Sequence, residues 1–168
     1  MVAQSPYSMT FLPSSIFRKG IHTLLKVNNR IPLPLKKPFI LPLLQQLFNA
    51  AIDDGDMDFL SGRIIKIYII DSDSSIYLGY QNKRLQLHKP ATADVCISGA
   101  AEAFIHLAAR LEDPDTLFFQ RRLMIEGDTD LGLEFKNILD AIDYDTVPGI
   151  VQHGLEFLAH RLADQPAG

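Results

Sequence analysis

Histidines, one cysteine, an acid-rich loop and a pair of arginines are the side chains of this 168-residue chain from which reactive chemistry could be built. The histidines stand at 22, 88, 106, 153 and 160. His153 and His160 share a helix face with Glu156 nearby, but nothing else completes the ligand count that a zinc site needs, so they read as isolated surface residues. Cys96 alternates with Val95 and Ile97 and has no basic neighbour in sequence, which suits a buried, inert thiol better than a nucleophile. Asp53-Asp-Gly-Asp-Met-Asp58 lacks the twelve-residue spacing and closing Glu of a calcium loop and reads as a solvated turn after a helix. Arg121-Arg122 would point to opposite faces of a strand. The inward one needs a partner, which Asp113 or Asp115 could supply, or else it grips a phenol or carboxylate of a ligand. There is no phosphate-binding glycine loop, dinucleotide fingerprint, His-Glu-x-x-His or Gly-x-Ser-x-Gly. The expectation is a non-enzyme with no catalytic residue, metal or cofactor.

Periodicity places these residues on an α+β scaffold. Ser14 or Ser15 can cap a helix over 16–27, with Phe17, Ile21, Leu24 and Leu25 on one side and Arg18, Lys19, His22 and Lys26 on the other. Prolines make 30–38 a non-helical linker, and a second helix follows over 39–52. Residues 63–70 alternate as a strand, with Ile65, Ile67 and Ile69 on one face. Strands at 76–80 and 83–88, joined at Gln81-Asn82, and at 94–98 continue an antiparallel meander with one covered face. Ser98 is a plausible cap for a helix over 100–111, which Asp113-Pro-Asp115 stops. A fifth strand near 122–126 leads through Glu126-Gly127-Asp128 to a helix over 129–143, and Pro148 opens a last helix to about residue 163. The fold expected is an antiparallel sheet of about five strands, covered on one face by helices, with an N-terminal helical arm.

Residues 1–52 hold six Lys or Arg and no acidic residue, although the whole chain carries a net charge of −4. So uneven a split suggests that the arm meets an anionic surface. The apolar residues between the charges favour phospholipid over nucleic acid. Phe17, Arg18, Lys19, Ile21, Lys26, Arg30, Lys36 and Lys37 are the membrane-contact candidates, although packing of the arm on its own domain or on a dimer partner is an equal reading. No apolar run approaches the ~20 residues of a membrane span, and no secretory pattern is visible. With a single cysteine, the setting expected is cytoplasmic, peripheral on the inner membrane. The divisions expected are a basic arm (1–37), a central domain (38–147) and a C-terminal helix and tail (148–168).

An apolar surplus is the positive signal. Phe104, Leu107, Leu117, Phe118, Phe119, Leu123, Leu131, Phe135, Ile138 and Leu139 come from neighbouring elements that cover one small sheet. Periodicity leaves open whether they fill a core or line a cavity.

The run Asp113-Pro-Asp-Thr-Leu-Phe-Phe-Gln-Arg-Arg-Leu-Met-Ile-Glu-Gly-Asp-Thr-Asp-Leu-Gly-Leu133, with Lys136-Asn-Ile-Leu-Asp-Ala-Ile142 and the upstream Ala51-Ile-Asp-Asp-Gly-Asp-Met-Asp-Phe-Leu-Ser-Gly-Arg63, resembles the UbiT-type ubiquinone biosynthesis accessory factors of bacteria. These belong to the sterol-carrier-protein type of lipid-binding domain. The resemblance spans roughly residues 38–145. It implies an apolar tunnel between sheet and helices, for which the ten residues above are the candidates. It implies a non-catalytic protein that presents hydrophobic ubiquinone precursors, or holds phospholipid, in the oxygen-independent pathway beside UbiU/UbiV-like hydroxylating partners. The competing reading is a scaffold of the same pathway with a closed core and no lipid.

Overall fold

A computed structural model describes residues 33–143 and 148–163. The expected helix over 16–27 lies outside these. In chain order the elements are α1 (Leu33–Leu47), α2 (Asn49–Asp54), β1 (Ile64–Ile69), β2 (Ser74–Gln81), β3 (Arg84–His88), β4 (Val95–Gly99), α3 (Ala101–Ala108), α4 (Pro114–Phe119), β5 (Leu123–Gly127), α5 (Thr129–Ala141) and α6 (Gly149–Ala163).

The proline-rich stretch is helical from Leu33, contrary to the linker expected over 30–38. Pro34, Pro38 and Pro42 recur every fourth residue, so the missing N–H of Pro38 and of Pro42 falls opposite the carbonyl of the proline before it. The defects therefore stack on one side, and Pro38 and Pro42 are exposed there, where water can reach the orphaned carbonyls. The expected single helix over 39–52 is instead the end of α1 and the separate α2, which closes at Gly55.

The five strands form one sheet in the order β3-β2-β1-β4-β5. All neighbours are antiparallel except β1 and β4, which run parallel. The expected meander thus holds for β1 to β3. It breaks where residues 89–94 carry the chain back past β2 to the free side of β1. Asn82 and Lys83, both at positive φ, make the tight β2–β3 turn, one residue later than expected. Ile65, Ile67, Leu78, Leu87, Val95, Ile97 and Ile125 share the face that the helices cover, and Lys66, Tyr77, His88, Cys96 and Glu126 share the other. Gln45 of α1 accepts a hydrogen bond from the Leu85 N–H at 3.1 Å, fastening the helical layer to the edge strand β3.

Caps position the remaining helices. Asp128 is the N-cap of α5, as expected, and its carboxylate accepts from the Leu131 N–H at 3.1 Å. That hydrogen bond, foremost, and the Arg63 guanidinium at 3.0 Å hold the Asp128 carboxyl below the usual carboxylate range. Ser98 does not cap α3: it is buried in β4, and the Ala101 N–H is accepted instead by the Asp71 carboxylate at 3.2 Å. Asp113, expected to end a helix, begins one. Its carboxylate accepts from the Thr116 N–H at 2.8 Å, with Pro114 in the first turn of α4.

Gly127 joins β5 to the Asp128-capped turn of α5 at φ 96°, and a Cβ there would lie 2.5 Å from the Asp94 carbonyl oxygen. Both the conformation and the close approach require glycine. Gly127→Ala is expected to lower unfolding stability by about 1–3 kcal/mol, read as a drop in the urea midpoint at unchanged slope. An unchanged midpoint would contradict this close approach.

Candidate functional site

The helices do not pack flush on the sheet. Ile67 lies in the central strand and faces them, yet it is only half-buried, whereas Ile65 on the same strand and face is 0% exposed. The difference is a partly open cavity of about 330 Å³ above Ile67. Its floor is Ile67, Leu78 and Ile97. One wall is Leu43, Leu44, Leu47 and Phe48 from α1 and the joint after it; another is Phe104, Leu107 and Ala108 of α3 with Arg110 just beyond. Phe135, Leu139 and Ile142 close the α5 side, and Val151 and Leu155 of α6 complete the lining. Phe48 and Phe135 stack at the bottom with ring centroids 5.7 Å apart. Every lining side chain but Arg110 is apolar.

Such a space can exclude water from a hydrocarbon chain, and its volume falls at the lower end of the ~300–1,000 Å³ usual for ligand sites. A wider cleft of about 940 Å³ lies between α2 and the end of α5, but Asp53, Asp54, Asp56 and Asp143 line it with Gln45, Gln46 and Asn49. Pro42, Leu47, Ala50, Ala51, Ile138, Ala141 and Ile142 make up the other half of its lining, so the four carboxylates set it apart from the cavity over Ile67; among the described residues no group of three or more His, Cys, Asp or Glu is placed to hold a metal.

The model of the SCP-2 sterol transfer family matches residues 42–140. The chain belongs to that family. It is 42% identical over 133 residues to the ubiquinone biosynthesis accessory factor UbiT of Escherichia coli K12, covering 79% of this chain and 74% of that protein. The UbiT of Escherichia coli O157:H7 matches equally. Among solved structures, a UbiJ-SCP2 ubiquinone synthesis protein superposes with a TM-score of 0.54 at 19% identity, covering 71% of this chain and 99% of that one, a likeness of fold. The SCP-2 segment ends before α6, so Val151 and Leu155 come from outside the matched residues.

Of the ten apolar candidates, Phe104, Leu107, Phe135 and Leu139 line the cavity. Leu117 and Leu123 are fully buried in a separate small core with Ala103, and Phe118 packs against it. Leu131 is buried in the main core, Ile138 lies on the polar cleft, and Phe119 is 91% exposed. Helical spacing identifies a covered face but not which part of it is filled. Periodicity also missed the α1 wall and the sheet floor. Of the membrane-contact candidates, Phe17, Arg18, Lys19, Ile21, Lys26 and Arg30 lie outside the described residues; Lys36 and Lys37 are in α1, and Lys37 is exposed.

Arg121 and Arg122 precede β5 rather than lying in it. Arg122 is paired, though not to Asp113 or Asp115: its Nη1 meets both Glu112 oxygens at 2.5 and 2.6 Å. His106, expected on the surface, is 6% exposed, and its Nδ1 lies 2.5 Å from Glu112. Asp115 pairs with Lys136 instead. Cys96 is half-buried on the sheet's outer face, and burial pushes its thiol pKa up, away from nucleophilic form.

Burial alone would raise the Glu112 carboxyl, but hydrogen bonds from His106 and Arg122 outweigh it and hold the group below the ordinary glutamate range. A carboxyl depressed by folding stabilises the protein above its unfolded pKa, ~4.3, and that contribution drains away as pH falls through the folded value. Glu112→Gln should therefore cost about 1–2 kcal/mol near neutral pH and progressively less in acid, read from urea midpoints at pH 7 and pH 3. An equal loss at both would show that the ion cluster contributes nothing as a charge.

Proposed function

We propose that this chain is a non-catalytic lipid carrier that receives the tail of a prenylated aromatic precursor of ubiquinone in the cavity over Ile67. It presents the ring to hydroxylating partners of the UbiU/UbiV type in the oxygen-independent route. The observation that carries the reading is the unfilled apolar space between sheet and helices; membership of the SCP-2 family and the likeness to UbiT supply its chemical setting.

The energetics support a carrier that holds its cargo and can release it. At about 30 Å³ per water-sized group, the space takes on the order of ten such groups. Each buried methylene contributes about 0.8 kcal/mol, hence roughly 8 kcal/mol before ordering costs are subtracted. A longer tail must extend outside, into a groove or the bilayer. Among the described residues no helix is long and apolar enough to cross a membrane. The basic arm, residues 1–37, would give reversible docking on anionic lipid at about 1 kcal/mol per cation near the surface. The cytoplasmic, membrane-peripheral setting belongs to the same proposal. A scaffold with a closed core is the poorer reading because the space is open.

The test is thermal. A quinone with a three-isoprene tail, present at about a hundredfold its Kd, should raise the melting midpoint by roughly 5–10 °C, and the tailless ring should not. The chain contains no tryptophan, so Leu155→Trp places one indole on the cavity wall. Its emission should be quenched by a fatty acid brominated along its chain. No midpoint shift with any tailed amphiphile, together with an unquenched indole, would defeat the carrier reading.

A further inference from the structure

Among the described residues β5 is an open edge of the sheet, with β4 as its one neighbour. The Asp128 N–H donates to the Asp94 carbonyl at 2.9 Å, continuing the β4–β5 ladder. Bonding direction alternates along a strand, so Leu123, Ile125 and Gly127 turn their N–H and C=O groups to the free side. Such an edge accepts another strand unless proline or lysine blunts it. β5 contains neither, and its one charged residue is Glu126. Beside the edge runs a groove of about 650 Å³ bounded by α4, β5 and α5, and Phe119, Met124 and Leu133 stand exposed on it. Arg121 lines the same groove ahead of the strand, and Glu126 lines it near the strand's far end. Neither side chain has a hydrogen bond or ion pair among the described residues.

We propose that this edge takes a second copy of the chain, joined β5 to β5 in antiparallel fashion about a two-fold axis at Met124. Leu123 of each copy then faces Ile125 of the other, and these outward-turned residues exchange N–H···O=C bonds. The two Met124 side chains meet on the outer face of the sheet. Glu126 comes opposite residue 122 of the other copy, beside its Arg121, so each unpaired carboxylate gains an unpaired guanidinium. An axis at Ile125 would set Met124 against Glu126, and one at Glu126 would set carboxylate against carboxylate. Phe119, ahead of β5, lies by the other copy's α5, where Leu133 is exposed. Backbone, charge and apolar side chains thus complement themselves, as an isologous contact requires. The axis is normal to the sheet, so both helical layers, and both cavities, lie on one face of a continuous ten-stranded sheet, five strands from each copy. Lipid plays no part in this contact.

Sedimentation equilibrium of the full chain tests the pairing. The wild-type chain should dimerise within a range reaching about 200 µM and dissociate on dilution. Met124→Lys, which puts two ammonium groups on the axis, should weaken association about tenfold or more. Arg121→Glu and Glu126→Arg should each do the same, because each then sets like charges against one another. All three positions are exposed, so the monomer's core is untouched. Mixed in equal amounts, the two charge variants should associate to within about threefold of wild type, since each supplies the charge that the other lacks. A wild-type chain that stays monomeric at the top of the range overturns the proposal and leaves the edge to a strand of a different protein. A dimer indifferent to all three substitutions overturns it by placing the contact elsewhere, and a mixture no tighter than its components overturns it by denying the pairing of Arg121 with Glu126.

Discussion

The stack of Phe48 on Phe135 holds the two sides of the helical layer together. Both rings are buried, at 3% and 1% exposure, and both line the cavity. Phe48 stands at the joint of α1 and α2, and Phe135 is in the middle of α5. Their contact therefore sets how closely the N-terminal helices approach α5, and so how far α1 stands off the sheet. On the α5 side the approach is as tight as it can be: a Cβ on Gly132 would lie 2.4 Å from Cγ2 of Ile125. Beyond the stack, α1, α3 and α6 ring a space over Ile67 that their side chains do not fill.

Much of this was legible in the residues. Alternation along 63–70 and 76–88 identifies the strands and their covered face because a strand's side chains must alternate. Asp128 is recognisable as a cap because its type, position and following helical pattern agree. Three features were hidden for physical reasons. Pro34, Pro38 and Pro42 argue against a helix individually, and only their common spacing, with Pro38 and Pro42 exposed, makes one tolerable. The parallel β1–β4 pair depends on where the 89–94 connection goes, which no local pattern records. Asp113-Pro-Asp115 reads as a stop, although an acidic cap, a proline in the first turn and Thr116 three residues on also describe a beginning.

The site was less legible than the fold. Four of the ten apolar candidates reach the cavity, since helical periodicity reports which face is covered and is silent on whether neighbouring side chains touch. Leu117 and Leu123 obey the same rule as Phe104 and Leu107 and are packed solid. Arg110, the one charged residue of the lining, had no signal at all: it is held there by the carbonyls of Asp140 and Ile142, 30 and 32 residues away. By contrast, Arg121-Arg122 stands out as a pair, and the structure places Arg122 in an ion pair with Glu112, which also meets His106, bracing α3 against the start of β5.

A protein with an unfilled apolar space gives up packing energy that a closed core would keep, and a resident hydrocarbon chain restores it. Native mass spectrometry of the chain, purified from its own host without detergent, addresses this most directly. The account predicts a 1:1 complex whose adduct is released on gentle activation and has the mass of a prenylated aromatic or a phospholipid. Repeated recovery of the bare polypeptide alone, from preparations that are functional in ubiquinone synthesis, would contradict it.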